Sequence, residues 1–180
     1  MSLKTVQKNW PFLIHPSLTV LLTASHGGEE TITPIGWIMP LSADPPFLAL
    51  ALKQTRFAYQ LVAKAKEFAI NVPSLDLAEK VWVCGTTTGK SQNKFALTGF
   101  QRFKAEKINA PLIQECKAYL ECALFADNLF GDHHLIVGQV LLARVKEEYF
   151  EEHYNEKFSP CLHLRKNLFL NVDWKSLKTV

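Results

Sequence analysis

The chain has 180 residues, enough for one domain that buries roughly 70% of its unfolded surface without covalent staples. Hydrophobic residues make up 48% and charged residues 21%, which excludes a disordered chain. A formal net charge of +3 with scattered basic residues argues against a nucleic-acid partner.

Taken from the N-terminus, Lys4 and Lys8 precede FLIHPSLTVLLTAS, a loose imitation of an export signal. His15-Pro16-Ser17 interrupts it, and the stretch reads instead as the approach to a first buried strand. No run reaches the roughly 18 apolar residues of a membrane span, so a cytoplasmic protein without membrane contact is expected. Residues 18–24, LTVLLTA, pair with 31–38 as a hairpin whose tip is SHGGEE. In TPIGWIMPLSADPPFLALAL, residues 33–52, the reading places Trp37, Met39 and Ser42 in a wide turn between apolar runs. Pro45-Pro46 would hold that turn open for a planar ligand, before a buried strand at 47–52.

The period then changes. In TRFAYQLVAKAKEF, Phe57, Leu61 and Ala65 recur at helical spacing, Lys64 and Lys66 point to water, and Thr55 stands where a cap belongs. FAINV at 68–72 is a strand ended by Pro73. SLDLAEKVWVCG reads as a second helix, with Ser74 as N-cap and Gly85 as stop. TTTGKSQNKFALTGF is a polar loop running into a short helix that ends near Gly99. Residues 118–126 and 134–145 are the longest strands of the second half, joined by the turn DNLFGD. KEEYFEEHYNEKF reads as a surface segment, and short apolar runs at 161–164 and 168–172 finish the chain.

Hairpins with helices between them predict an antiparallel barrel with helical excursions, and no GxGxxG follows a strand. CGTTTGKS ends like a triphosphate-binding loop, but only three residues separate Gly85 from Gly89 and the stretch follows a helix, so that reading is rejected. Cys84, Cys116, Cys122 and Cys161 form no CxxC pair and no closed zinc spacing with the histidines. Buried, reduced thiols and no metal are expected.

Over residues 10 to 172 the chain carries, in order, GWIMPLSADPP, KQT, FAINVPS, CGTTTGKSQNKF, LECALF and GDHHLIVGQV. On these motifs it resembles the flavin reductase-like family, and within it the flavoredoxin-type branch. The resemblance implies a mainly β fold with inserted helices, the FMN-binding split β-barrel (a Greek-key antiparallel barrel), as a single domain over 1–180. It further implies FMN as cofactor, NADH or NADPH as electron donor, and a homodimer with flavin at the interface.

Carried over residue by residue, Trp37 would cover the isoalloxazine ring, its alternative being a core tryptophan. Ile38 and Met39 would offer backbone groups to the ring's rim, and Ser42 would support that turn or reach the ribityl chain. Thr55 would bind the FMN phosphate at a helix start, flanked by Lys53 and Arg56, or would only cap the helix. Lys94 matches the family's phosphate-contacting lysine, although Asn93 replaces the usual acid. A solvated surface lysine is the alternative for both Lys94 and Lys90. His133, in GDHH, would be the catalytic residue at the flavin's reactive edge, its alternative a structural histidine, with His134 facing the other way. Phe169 would pack on the flavin, despite unusual spacing from GDH. Thr31 or Thr33 stands where relatives often carry asparagine.

Three functions follow from the resemblance. They are an NAD(P)H-dependent flavin oxidoreductase, a flavin-bound electron carrier serving a redox partner protein, and a split-barrel binding module without functional flavin. No Ser-His-Asp or Cys-His pairing stands out, so no protein nucleophile is expected.

Overall fold

The structure, a computed structural model, describes residues 1–178; residues 179 and 180 of the expected domain lie outside it. After a 3-10 turn at Trp10–Ile14 come β1 (Ser17–Leu18), β2 (Val20–His26), β3 (Glu29–Ile35), β4 (Ile38–Ala43) and β5 (Pro46–Leu52). Then follow α1 (Phe57–Ala65), β6 (Glu67–Val72), α2 (Ala78–Thr86), α3 (Lys94–Thr98), β7 (Arg102–Phe103) and β8 (Leu112–Ile113). The long strands β9 (Ala118–Phe130) and β10 (His133–Val145) and the short β11 (Leu162–Arg165) and β12 (Leu168–Leu170) complete the chain.

Seven strands form one antiparallel sheet in the order β3-β2-β6-β9-β10-β5-β4. β3 and β4 stand at its opposite edges, yet only Gly36 and Trp37 separate them in sequence. That link reaches about 11 Å at most, whereas the edges of a flat seven-stranded sheet would lie about 29 Å apart. The sheet must coil until its edges nearly meet, and an antiparallel barrel results, as expected. The β9–β10 hairpin inserts between β5 and β6, so sequence-distant strands become neighbours. β1, β11 and β12 form a small separate sheet beside the barrel.

The apolar runs are buried on both faces, which is why they read as continuous and not alternating. Leu22, Leu50, Phe68 and Ile136 pack together with Leu61 and Val62 of α1. A second cluster joins Leu21, Ile32 and Ala69 to Val81 and Cys84 of α2 and Phe95 of α3. All four cysteines are buried and unpaired. No helix among the described residues is long and apolar enough to cross a membrane.

Several sequence expectations need correction. Residues 36–46 are not one wide turn. β4 pairs with β5 as far as Ala43 and Pro46, leaving Asp44-Pro45 as a tight turn. Pro40 is tolerated because β4 is an edge strand, and Pro46 because it opens its strand. The second hairpin also outruns its expected tip: β9 and β10 pair up to Phe130 and His133, around Gly131 at a φ of +60°. α1 begins at Phe57 with Arg56 in the N-cap position, so Thr55 is not its cap. Ser74 precedes a 3-10 turn and bonds Asp76, while α2 starts at Ala78 and continues past Gly85. Gly99 does end α3, at a φ of +66°. Within the expected surface segment, Phe158 is buried and stacks on Tyr154, with 4.1 Å between ring centroids.

Gly138 lies where the β9–β10 register shifts, and a Cβ there would stand 2.5 Å from Phe68 Cζ. Gly138→Ala is therefore expected to lower stability by about 1–3 kcal/mol through overpacking. Urea unfolding checks this, and an unchanged midpoint would mean that Phe68 does not need the space.

Candidate functional site

Thr31 and Thr33 are two apart on β3 and so point to the same side. Facing them are Lys53, Thr55 and Arg56 from the segment before α1, Thr86 to Gly89 from the end of α2, and Lys94 at the start of α3. Together they line a concavity of about 310 Å³ with six threonines, three cations and no carboxylate. The walls are tied in place. The Thr87 and Thr86 hydroxyls donate to Val83 O at 2.7 Å and Trp82 O at 2.9 Å, and Arg56 Nη1 donates to Gly85 O at 3.2 Å. Gly89 has no room for a side chain, because a Cβ there would overlap the Thr31 hydroxyl.

Lys94 is 4% exposed, which removes the solvated alternative. Its Nζ donates to Ile32 O at 2.7 Å and Cys84 O at 2.6 Å. An ammonium has three N–H donors, so one remains for a ligand. Burial pulls its pKa down to about 8, the nearby Cys84 opposing and Arg56 assisting. An anion in the concavity would offset that desolvation.

The second half of the groove is a chamber of about 1030 Å³. Its walls include Trp10, Phe12, Trp37, Trp82, Phe130 and Phe169. The Trp37 and His133 rings stand 4.8 Å apart, tilted by 36°. His133 Nδ1 lies 2.7 Å from Asp132 Oδ1, and Lys53 Nζ lies 2.8 Å from Asp132 Oδ2. Hydrogen bonds from Lys53 and His133 hold the Asp132 carboxyl down to about 2. Thr33, Lys53 and Arg56 border both halves, so the two form one groove, polar and cationic at one end and aromatic at the other.

Seven of the residues named from sequence converge there. Trp37, Lys53, Arg56, His133 and Phe169 line the chamber, and Thr55 and Lys94 join Lys53 and Arg56 in the threonine-lined end. Trp37 is 42% exposed, so it is no core tryptophan. Ile38, Met39 and Ser42 line neither half. Ile38 packs against the barrel core, Met39 is exposed on β4, and Ser42 pairs with Phe47. His134 points away from His133 to Asp127, 2.5 Å from its Nδ1, as strand alternation predicts. Lys90 is exposed outside the groove.

The sequence reading passed over Thr86–Gly89, Asp132, Trp82, Trp10 and Phe12. The first had a signal: TTTG followed by Lys94 supplies hydroxyls and a cation, although its spacing fails a triphosphate loop. Asp132 had one too, an acid directly before His133. The N-terminal aromatics had none, since only the folded chain brings them near Trp37.

The Lys94 environment has a measurable consequence. Its folded pKa of about 8 lies below the ordinary 10.5, so the unfolded chain binds more protons between those values and stability must rise with pH there. The wild-type stability minus that of Lys94→Met should grow by up to roughly 3 kcal/mol from pH 7 to above 10. Urea unfolding of both proteins across this range checks the sign. A flat or falling difference would contradict the burial of a cation.

A profile described as "Flavin reductase like domain" matches residues 13–167. An uncharacterized protein of Pyrococcus abyssi is 34% identical over 167 residues, covering 93% of this chain and 92% of its own length. Among solved structures, the flavoredoxin of Methanosarcina acetivorans superposes with a TM-score of 0.86 at 26% identity, covering 96% of this chain and 92% of that one. An FMN-binding protein of Thermus thermophilus with bound 1-cyclohex-2-enone reaches a TM-score of 0.88 at 22% identity, covering 99% and 100%. The fold is thus the split β-barrel of these proteins, and with the match spanning nearly all of it, the chain belongs to the flavin reductase-like family.

Proposed function

We propose that the groove binds FMN and that the chain is an NAD(P)H-dependent flavin oxidoreductase. The observation that carries this reading is the continuity of two chemically opposite ends. A threonine-lined, cationic, carboxylate-free cavity suits a phosphate, and an aromatic chamber suits a flat ring system. Gly89 adds support, since its bare Cα packs on the Thr31 hydroxyl and any side chain there would displace a threonine of the phosphate end. Family membership and likeness to a flavoredoxin and an FMN-binding protein support the flavin-binding part of this reading. Bound FMN would supply the redox chemistry, taking two electrons as hydride from a nicotinamide and passing them on.

Each residue has a task in this reading. The threonine hydroxyls, Arg56 and the free Lys94 N–H hold the phosphate, and Lys53 spans the junction of the two ends. Trp37 would shield one side of a ring bound in the chamber from water. His133 presents a ring nitrogen to the chamber, where it stabilises negative charge or orients the donor. Phe169 closes the far wall.

The likeness to a flavoredoxin favours one second reading, an electron carrier that reacts slowly with nicotinamides and serves a protein partner. Anaerobic titration of the flavin-loaded protein with NADH and NADPH separates the two. Rapid bleaching of the flavin absorbance is expected. Replacement of His133 by Ala should then lower kcat/KM by roughly tenfold to a hundredfold, with FMN affinity changed by less than about threefold. No bleaching by either nucleotide would favour the carrier, and failure to bind FMN would leave a binding module.

A homodimer belongs to the same proposal. Met39, Leu41, Phe125, Leu129 and Phe130 are each more than half exposed on β4 and β9, and Phe130 also lines the chamber. Exposed apolar side chains in this number support an interaction surface there. A second copy covering it would bring Met39 and Ser42 beside a shared flavin. Sedimentation should show a dimer, weakened in Leu129→Glu, whereas a monomeric wild-type chain would overturn the arrangement.

A further inference from the structure

Two neighbouring residues in extended strands point to opposite faces, so side chains such as Asp132 and His133 ordinarily do not meet. Here Asp132 sits in the turn after Gly131, whose φ is +60°, and its carboxylate turns back onto the His133 ring. The register supplies the third member. His134 lies opposite Leu52, which sets Lys53, one residue beyond β5, across from His133. Lys53 Nζ then reaches the second oxygen of the same carboxylate at 2.8 Å. The hairpin turn and the strand register thus assemble a Lys53–Asp132–His133 row along the mouth of the chamber, between the threonine-lined end and Trp37.

The chemistry of this row constrains the imidazole. A carboxylate ion-paired to an ammonium has no proton to give, so it accepts from both neighbours. His133 Nδ1 must carry the hydrogen of that bond, which leaves Nε2 as the nitrogen free to act on a ligand. In water a neutral imidazole side chain prefers its hydrogen on Nε2, so the row imposes the less common form.

We propose that Asp132 is the positioning residue of this site: it fixes His133 with Nδ1 protonated and Nε2 presented to the chamber, and Lys53 holds Asp132 in that task. This rests on the oxidoreductase reading for its consequence in turnover, but not for the state of the ring. Asp132 lines the chamber beside His133, and in this proposal it acts through the imidazole, as second partners of functional histidines generally do. Lys53 also borders the threonine-lined end, so the row is the side-chain link between the two halves of the groove.

The test begins with ¹⁵N NMR of the histidine rings in the flavin-free protein at alkaline pH, with His133 assigned by the spectrum of His133→Ala. Wild type should show His133 as the Nδ1–H tautomer. Asp132→Asn should shift it toward Nε2–H, because an amide can donate as well as accept, and Asp132→Glu should restore the wild-type form. Lys53→Met should give a mixture. In the flavin-loaded protein, Asp132→Asn should lower kcat by roughly tenfold or more while FMN affinity stays within about threefold, with Asp132→Glu recovering most of the rate.

An Nε2–H ring in wild type, or a ring unaltered by Asp132→Asn, would overturn the proposal. A loss of folding in Asp132→Asn would be visible in the same spectra, and the Asp132→Glu and Lys53→Met comparisons would then decide it. A tautomer that follows Asp132 while turnover does not would keep the positioning role and overturn the part given to His133 in the reaction.

Discussion

Two residues bridge the opposite edges of a seven-stranded sheet, and nearly everything of functional interest follows from that constraint. Gly36 and Trp37 can span the gap only if the sheet rolls up, so the seam of the barrel and the exposed tryptophan are one feature. Ala51 N–H donates to Trp37 O at 2.9 Å, which fastens the seam to β5. Gly36 suits the seam because a Cβ there would stand only 3.1 Å from Ser17 Oγ. Once it closes, Thr31 and Thr33 on one edge strand face the segment that leaves β5, and the groove lies between them.

The groove separates its two chemistries by using different parts of the scaffold. Apart from Thr31 and Thr33 within β3, the hydroxyls and cations come from the ends of helices and the segments between elements, where polar groups are available. Aromatic rings come from the seam, from α2, from the β9–β10 tip and from chain segments near both termini. Lys94 shows the cost of the arrangement: a cation sits among buried groups, held by two carbonyls and pulled down to about 8. Such a group favours an anionic occupant over water, since an anion restores what burial removes.

Much of this was legible in the sequence. The repeat of Phe57 and Leu61 located α1, the buried runs located β2, β5 and β6, and the motif series pointed to Trp37, Lys53, Thr55, Arg56, Lys94, His133 and Phe169, which the fold gathers into one groove. β4 was not legible, because Pro40, Pro45 and Pro46 argue against a strand, and only its place at the sheet edge makes Pro40 harmless. The burial of Lys94 was hidden because lysine is mostly exposed, and its partners are carbonyls distant in sequence. The Lys53–Asp132 pair depends on a strand register that no local pattern reveals. Met39 and Ser42 belong to motifs the resemblance ties to flavin, yet they lie outside the groove, on an edge strand whose course no local pattern reveals.

A groove with one end suited to a phosphate and the other to a flat ring should tell flavins apart by their phosphate. Equilibrium titration of the flavin-free protein with FMN and with riboflavin, followed by flavin fluorescence, tests it most directly, because the two ligands share the ring and differ only in the phosphate. FMN is expected to bind on the order of a hundredfold more tightly, and Gly89→Ala to remove most of this advantage without weakening riboflavin. Equal affinity for the two, or an advantage that survives Gly89→Ala, would contradict it.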